Sequence, residues 1–186
     1  MNKKIKIISG YLKGQIIQTI NHRNLRPTTN RIRETLFNWI FNKLPFSKCL
    51  DSFSGSGSLG IEAISRYAIQ TTFLEKNRII IKNLKKNIFR LRINNAHIIH
   101  TNTLVWIKKS IYQYDIIFLD PPYYDNILQK TIILINKNKI IKNNGYIYIE
   151  MQRNTKIQCP KHWLLLKDKY TSNIHYQLYL CKYQLK

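Results

Sequence analysis

Two short stretches of this 186-residue chain carry residue types that could do chemistry. The first is Asp120-Pro121-Pro122-Tyr123, directly after the apolar run DIIFLD. A carboxylate beside a rigid Pro-Pro pair can hold two N–H hydrogens, one on Asp120 and one on a backbone carbonyl. An exocyclic amine on a nucleobase needs this, because its lone pair is delocalised into the ring and must be turned toward an electrophile. Tyr123 supplies a ring that can stack on the base. Catalysis would be positioning plus electrostatics, with no covalent intermediate. The structural alternative is a strand-ending turn, for which Asp and Pro are common residues.

The second stretch is Asp51-Ser-Phe-Ser-Gly-Ser-Gly-Ser-Leu-Gly60. Gly55 and Gly57 let the backbone turn tightly and approach a ligand, and Gly60 permits close helix–strand packing. The three glycines match the GxGxxG of dinucleotide sites, with Glu75 about where a ribose-binding acid belongs. Asp51, four residues before Gly55, suits a cationic ligand such as the amino group of S-adenosylmethionine and suits a pyrophosphate poorly. Phe53 lies in the same loop. A carboxylate at Glu75 can accept from both ribose hydroxyls. Asn102 and Thr103 follow the next strand, where side-chain or backbone groups could meet the adenine.

The elements that must position these groups alternate. The first 20 residues, with KIKIISGYLKGQIIQT, read as two alternating runs around Gly10 and Gly14, a small hairpin. A helix is expected from Arg31 to about Lys43 with Asn30 as its N-cap and Ile32, Leu36, Trp39, Ile40 and Lys43 on helical spacing. Strands are expected at Cys49–Phe53, Thr71–Glu75, His97–Thr101, Tyr114–Asp120 and Gly145–Met151. Helices are expected at Leu59–Tyr67, Asn77–Leu91, Leu104–Lys109 and Ile127–Asn138. In the Asn77–Leu91 helix, Ile79, Ile80, Leu84, Ile88 and Leu91 should form the apolar side. Trp163–Tyr170 and Ile174–Tyr183 read as a closing antiparallel pair. Alternation of this kind predicts an α/β fold with a mostly parallel, seven-stranded sheet, helices on both faces and ligands beyond the carboxyl ends of the strands.

Taken together, the DxFxGxG loop and DPPY resemble the amino-methyltransferases of adenine-N6, cytosine-N4 and guanine-N2. The segment Leu25-Arg-Pro-Thr-Thr-Asn-Arg-Ile-Arg-Glu-Thr-Leu-Phe-Asn-Trp39 narrows this, because it resembles the RPT-x-x-R-[VI]-RE-x-LFN signature of the RsmD family. LDSFSGSGSLGIEAISR, FLEKN, DIIFLDPPY and YIYIE extend the likeness over nearly the whole chain. Ser54 stands where Ala is expected, and Tyr123 where Phe is also seen. The resemblance implies a Rossmann-like class I methyltransferase that forms N2-methylguanine in 16S ribosomal RNA of the small subunit, with S-adenosylmethionine as donor and S-adenosylhomocysteine as product. It implies Asp51, Gly55 and Gly57 at the donor's amino acid end, Glu75 at its ribose, and Asp120 to Tyr123 at the target base. Residues 1–24 would be a hairpin extension contacting RNA, and residues 25–186 the methyltransferase domain.

Charge agrees with such a partner. The chain has 31 Lys and Arg against 9 Asp and Glu, a formal net of +22, and bound cations release counterions from phosphates. Part of the excess follows from a composition rich in Ile, Lys and Asn. Lys3, Lys4, Lys6 and Lys13 of the hairpin, with Arg26, Arg31 and Arg33, are the expected phosphate contacts; Arg keeps its charge and can bind phosphate bidentately. A solvated basic helix face is the plainer reading of the arginines. No apolar run approaches the roughly 18 residues of a membrane helix, and the N-terminus does not read as a signal peptide. Cys49, Cys159 and Cys181 are too far apart for a disulfide framework and suit a reduced cytoplasm. No metal site is expected, and a monomer is. A DNA adenine-N6 or cytosine-N4 methyltransferase is the main rival, although no residues remain for a separate target-recognition domain. A nicotinamide oxidoreductase and a non-enzymatic RNA-binding module are the others.

Overall fold

The computed structural model describes residues 4–20, 28–122 and 126–183. Strands β1 (Lys4–Lys6) and β2 (Ile16–Gln18) form the hairpin. Helix α1 (Asn30–Trp39) follows, then β3 (Lys48–Asp51), α2 (Ser58–Ser65), β4 (Gln70–Glu75), α3 (Arg78–Arg90) and β5 (Ala96–His100). The second half runs α4 (Thr103–Lys109), β6 (Tyr114–Leu119), α5 (Ile127–Lys137), β7 (Ile141–Gln152), β8 (Trp163–Tyr170) and β9 (Ile174–Cys181).

Seven strands form one sheet in the order β5-β4-β3-β6-β7-β9-β8. The first five run parallel, and β9 and β8 close the sheet antiparallel. The order reverses between β3 and β6, so the crevice beyond their carboxyl ends is where such a sheet binds ligands. Side-chain alternation divides the core. Leu50, Ile117, Leu119, Ile147 and Ile149 face Ile107 of α4 and Leu128, Ile132 and Ile135 of α5. Cys49, Ile116, Phe118 and Tyr148 face Ile32, Leu36 and Phe37 of α1 and Leu59 and Ala63 of α2.

The hairpin is welded to the domain. Ile5, Ile7, Leu12 and Ile17 join Ile61, Ile64, Phe73 and Leu84 in a third apolar cluster. Gly10 lies so close to α2 that a Cβ would sit 1.7 Å from the Ser65 carbonyl oxygen. Glu62 Oε2 and Oε1 accept from Ile8 and Ser9 N–H at 2.8 and 3.0 Å. Arg33, expected at an RNA surface, is instead fully buried. Its Nη2 donates to the Lys6 carbonyl at 2.7 Å and to Asn30 Oδ1 at 2.8 Å, and its Nη1 lies 3.7 Å from Glu62 Oε2. Arg33 follows Ile32 on the inward face of α1, which overrides its polarity once Glu62 is there to meet it.

Two further expectations change. Thr29, not Asn30, caps α1, its side chain accepting from Ile32 N–H at 3.4 Å. In α3 the buried side is Ile80, Ile81, Leu84 and Asn87, while Ile79 is exposed. Asn87 is drawn inward by a reciprocal pair of hydrogen bonds with the Gln18 backbone, at 2.9 and 2.8 Å, and that rotates the helix face.

Candidate active site

Strand β3 delivers Asp51 to the reversal point of the sheet, and the next residues turn back at once. Gly55 and Gly57 have φ of +50° and +79°, a region that favours glycine. A Cβ on Gly57 would lie 2.4 Å from Leu84 Cδ1, and one on Gly60 would lie 2.2 Å from Phe73 Cε1. The glycines thus serve turning and packing as their spacing indicated. Gly57 caps α2 without a side chain. Asp51 fills that role, its Oδ2 accepting from Gly60 N–H at 3.0 Å.

Asp51 is buried, and burial pushes its carboxyl up to about 7; Gly60 opposes this and Glu75 adds to it. Glu75 ends β4 and accepts from Gly55 N–H at 3.1 Å and Asn77 N–H at 2.7 Å. Each of its oxygens keeps a second lone pair for a ligand hydroxyl. Phe53 is half-buried against the α4/α5 core. The side chains of Asn102 and Thr103 have structural work: Asn102 Oδ1 accepts from Leu104 N–H at 2.9 Å as the cap of α4, and the buried Thr103 hydroxyl donates to the Ser52 carbonyl.

Strand β6 delivers Asp120. Its Oδ2 accepts from the Thr28 hydroxyl at 3.1 Å, so the segment entering α1 and the DPP turn meet at one point. Desolvation, then the charges of Glu150 and Asp51, push the Asp120 carboxyl well above the ordinary carboxylate range, with the Thr28 hydrogen bond opposing. Glu150 was not singled out as a site residue from sequence. Leu119 pairs with Ile149 in the β6–β7 register, which puts Glu150 beside Asp120. It is buried, and Oε2 accepts from the Tyr148 hydroxyl at 2.8 Å. The strand motif YIYIE was the available signal. Pro121, Pro122 and Glu150 line a cleft shared with Met151, Lys156 and residues of α5.

Four of the chain's nine acids, Asp51, Glu75, Asp120 and Glu150, therefore stand at one edge of the sheet, in a chain with 31 cations. Burial and like charge push Asp51 and Asp120 upward, and a positive charge placed among them would oppose that shift. The buried Ser52 hydroxyl in the same loop has no hydrogen-bond partner. Lys4, Lys6, Lys13 and Arg31 are exposed. Lys3, Arg26 and Tyr123 lie outside the described residues.

Fold and site define a Rossmann-like class I methyltransferase with an N-terminal hairpin. The family model described as "Conserved hypothetical protein 95" matches residues 5–180. The chain belongs to this family, the RsmD family that the sequence motifs resemble. Ribosomal RNA small subunit methyltransferase D of Buchnera aphidicola (subsp. Acyrthosiphon pisum) is 54% identical over 181 residues, 97% of this chain and 95% of that protein. The Escherichia coli K12 protein of that name is 36% identical, over 95% of this chain and 89% of its own length. The solved structure of yhhF, a candidate methyltransferase from Escherichia coli, superposes with a TM-score of 0.91 at 33% identity, covering 98% of this chain and all of that one. Among the described residues no helix is long and apolar enough to cross a membrane.

Proposed function

We propose that this protein transfers a methyl group from S-adenosylmethionine to the exocyclic N2 of a guanine in small-subunit (16S) ribosomal RNA. The observation that carries this reading is the meeting of Asp120 with Asp51 and Glu150 beside a glycine cradle. The relatives named ribosomal RNA small subunit methyltransferase D support the choice of RNA.

The donor supplies, when bound, an electrophilic methyl on a cationic sulfonium. Asp51 and the Gly55–Gly57 turn would hold its amino acid end, with Phe53 nearby. Glu75 would accept from its ribose, and the backbone at Asn102 and Thr103 would face its adenine. Asp120 accepts one amine hydrogen and a carbonyl of the Pro121-Pro122 turn the other, which aims the nitrogen lone pair at the methyl. A cation arriving beside Asp120 favours its ionised form, so the carboxylate is ready to take the proton that the amine sheds once the C–N bond forms. Tyr123 stacks on the base. Residues 1–24 serve as an RNA-contacting extension of the domain formed by residues 25–186. Lys3, Lys4, Lys6, Lys13, Arg26 and Arg31 meet phosphates. The protein works as a cytoplasmic monomer on the small subunit or its RNA.

Mass mapping of ribosomal RNA from cells with and without the gene locates the product. Single-turnover rates then test the roles. Asp120→Ala should lose at least about a hundredfold in kcat/KM. Tyr123→Ala should lose about tenfold to a hundredfold, and Tyr123→Phe should stay within several-fold, because the ring and not the phenol is used. A dead Tyr123→Phe beside an active Asp120→Ala, or methylation of duplex DNA in place of RNA, would overturn the reading.

A further inference from the structure

The cleft beside Pro121 and Pro122 reaches β7 at Glu150 and Met151. Met151, which lines it, pairs with His175 of β9, and His175 pairs with Tyr170 of β8. Cross-strand partners share a face, so Met151, His175 and Tyr170 form a row leading from the cleft to the edge. Two inter-strand steps span roughly 10 Å.

The end of that row is organised. Tyr170 is 55% exposed, yet its ring is fixed: it stacks on the His175 imidazole with centroids 4.0 Å apart and planes 15° from parallel. The imidazole beneath is itself buried, and its Nε2 lies 2.6 Å from Asp168 Oδ1. Arg153 Cζ lies 6.0 Å from the Tyr170 centroid. Arg153 is exposed beside it, Lys156 is exposed at the cleft, and the acid on the same face, Asp168, is engaged by His175. Such an aromatic ring, held flat against an imidazole with the Arg153 guanidinium over it, matches what single-stranded nucleic acid uses: bases stack on aromatic side chains and guanidinium planes while cations track the backbone.

We propose that Tyr170, backed by His175 and Asp168, is a stacking platform for an unpaired RNA base flanking the target nucleotide, with Arg153 and Lys156 meeting the adjoining phosphates. This rests on the reading of the substrate as RNA, though not on which base receives the methyl group. The platform would hold the strand that leaves the cleft, so its contribution is to binding and register and not to the reacting atoms. Tyr170 is accordingly a positioning residue.

The test measures, by fluorescence anisotropy, binding of a protein-free fragment of small-subunit ribosomal RNA to the full chain and to Tyr170→Ala, Tyr170→Leu and Tyr170→Phe, alongside steady-state methylation of the same RNA. Tyr170→Ala and Tyr170→Leu should weaken binding about tenfold and raise KM with kcat little changed. Tyr170→Phe should stay within about twofold, because the ring is what stacks. S-adenosylmethionine affinity, which reports a folded site, should be the same in all four. Arg153→Ala should lower the slope of log affinity against log salt by about one. Unchanged RNA binding by Tyr170→Ala, or a Tyr170→Phe as weak as Tyr170→Ala, would overturn the platform. So would an effect seen only with assembled subunits and not with protein-free RNA, which would make the surface a protein contact. A wild type that binds RNA through Tyr170 yet methylates none would instead overturn the proposed reaction and leave the platform standing.

Discussion

Buried charge occurs in two places in this molecule and is handled in opposite ways. Under the hairpin, Glu62 faces Arg33 at 3.7 Å and Arg66 at 2.8 Å and accepts two backbone N–H groups. Every oxygen there has protein partners, and the cluster ties three segments together. At the carboxyl edge of the sheet, Asp51 and Asp120 face further carboxylates, and both are pushed upward in pKa. The first arrangement spends its electrostatics on the fold. The second, under the proposed function, holds them for a ligand, at some cost to the stability of the free protein. Charge that is buried and paired marks architecture; charge that is buried and crowded with its like marks a site.

The sharpest way to break this contrast is to remove Glu62. Glu62→Ala leaves Arg33 buried beside two hairpin N–H groups that lose their acceptor. It should cost about 3–5 kcal/mol in urea denaturation, and a loss under about 1 kcal/mol would mean the cluster does not anchor the hairpin.

Asp51 should behave in the reverse sense. Asp51→Asn keeps an acceptor for Gly60 N–H while removing the charge. It should weaken S-adenosylmethionine binding about tenfold to a hundredfold, the worth of a charge-assisted hydrogen bond, without destabilising the free protein. pH separates the cases further. With a folded pKa near 7 against 3.8 unfolded, the native state holds more protons between those values, so this group's contribution to stability falls as pH rises through that window. Calorimetry should find cofactor binding tightening from pH 6 to 8 as Asp51 ionises, and Asp51→Asn should flatten the dependence. A wild-type affinity independent of pH would remove Asp51 from the site.

The smallest effect concerns the hairpin surface. Replacing exposed Lys4 and Lys6 by Ala should flatten the salt dependence of RNA affinity by about two units of log–log slope, while Arg31→Ala should remove about one. An unchanged slope in the double lysine variant would mean that the hairpin's charge is compositional.

Much of this protein was legible without coordinates, because the signals are local. Short continuous apolar runs such as DIIFLD and the glycine spacing of the Asp51–Gly60 loop fix strands and a tight turn by short-range sterics, and the fold class follows from their alternation with helices. The family likeness carried the same motifs to a reaction class. What only the tertiary structure decided is which polar groups serve the site and which serve the fold. Arg33 and Arg31 look alike in sequence, but Arg33 meets Glu62 across 29 residues of chain and turns inward while Arg31 stays in solvent. Glu150 and Asp120 become neighbours only through the β6–β7 register, and Tyr170 acquires a filled face only when β8 folds back on β9. Local sterics can be read from sequence order. Charge partnership and burial are set by contacts between distant segments, and their energies exist only once the sheet has brought those segments together.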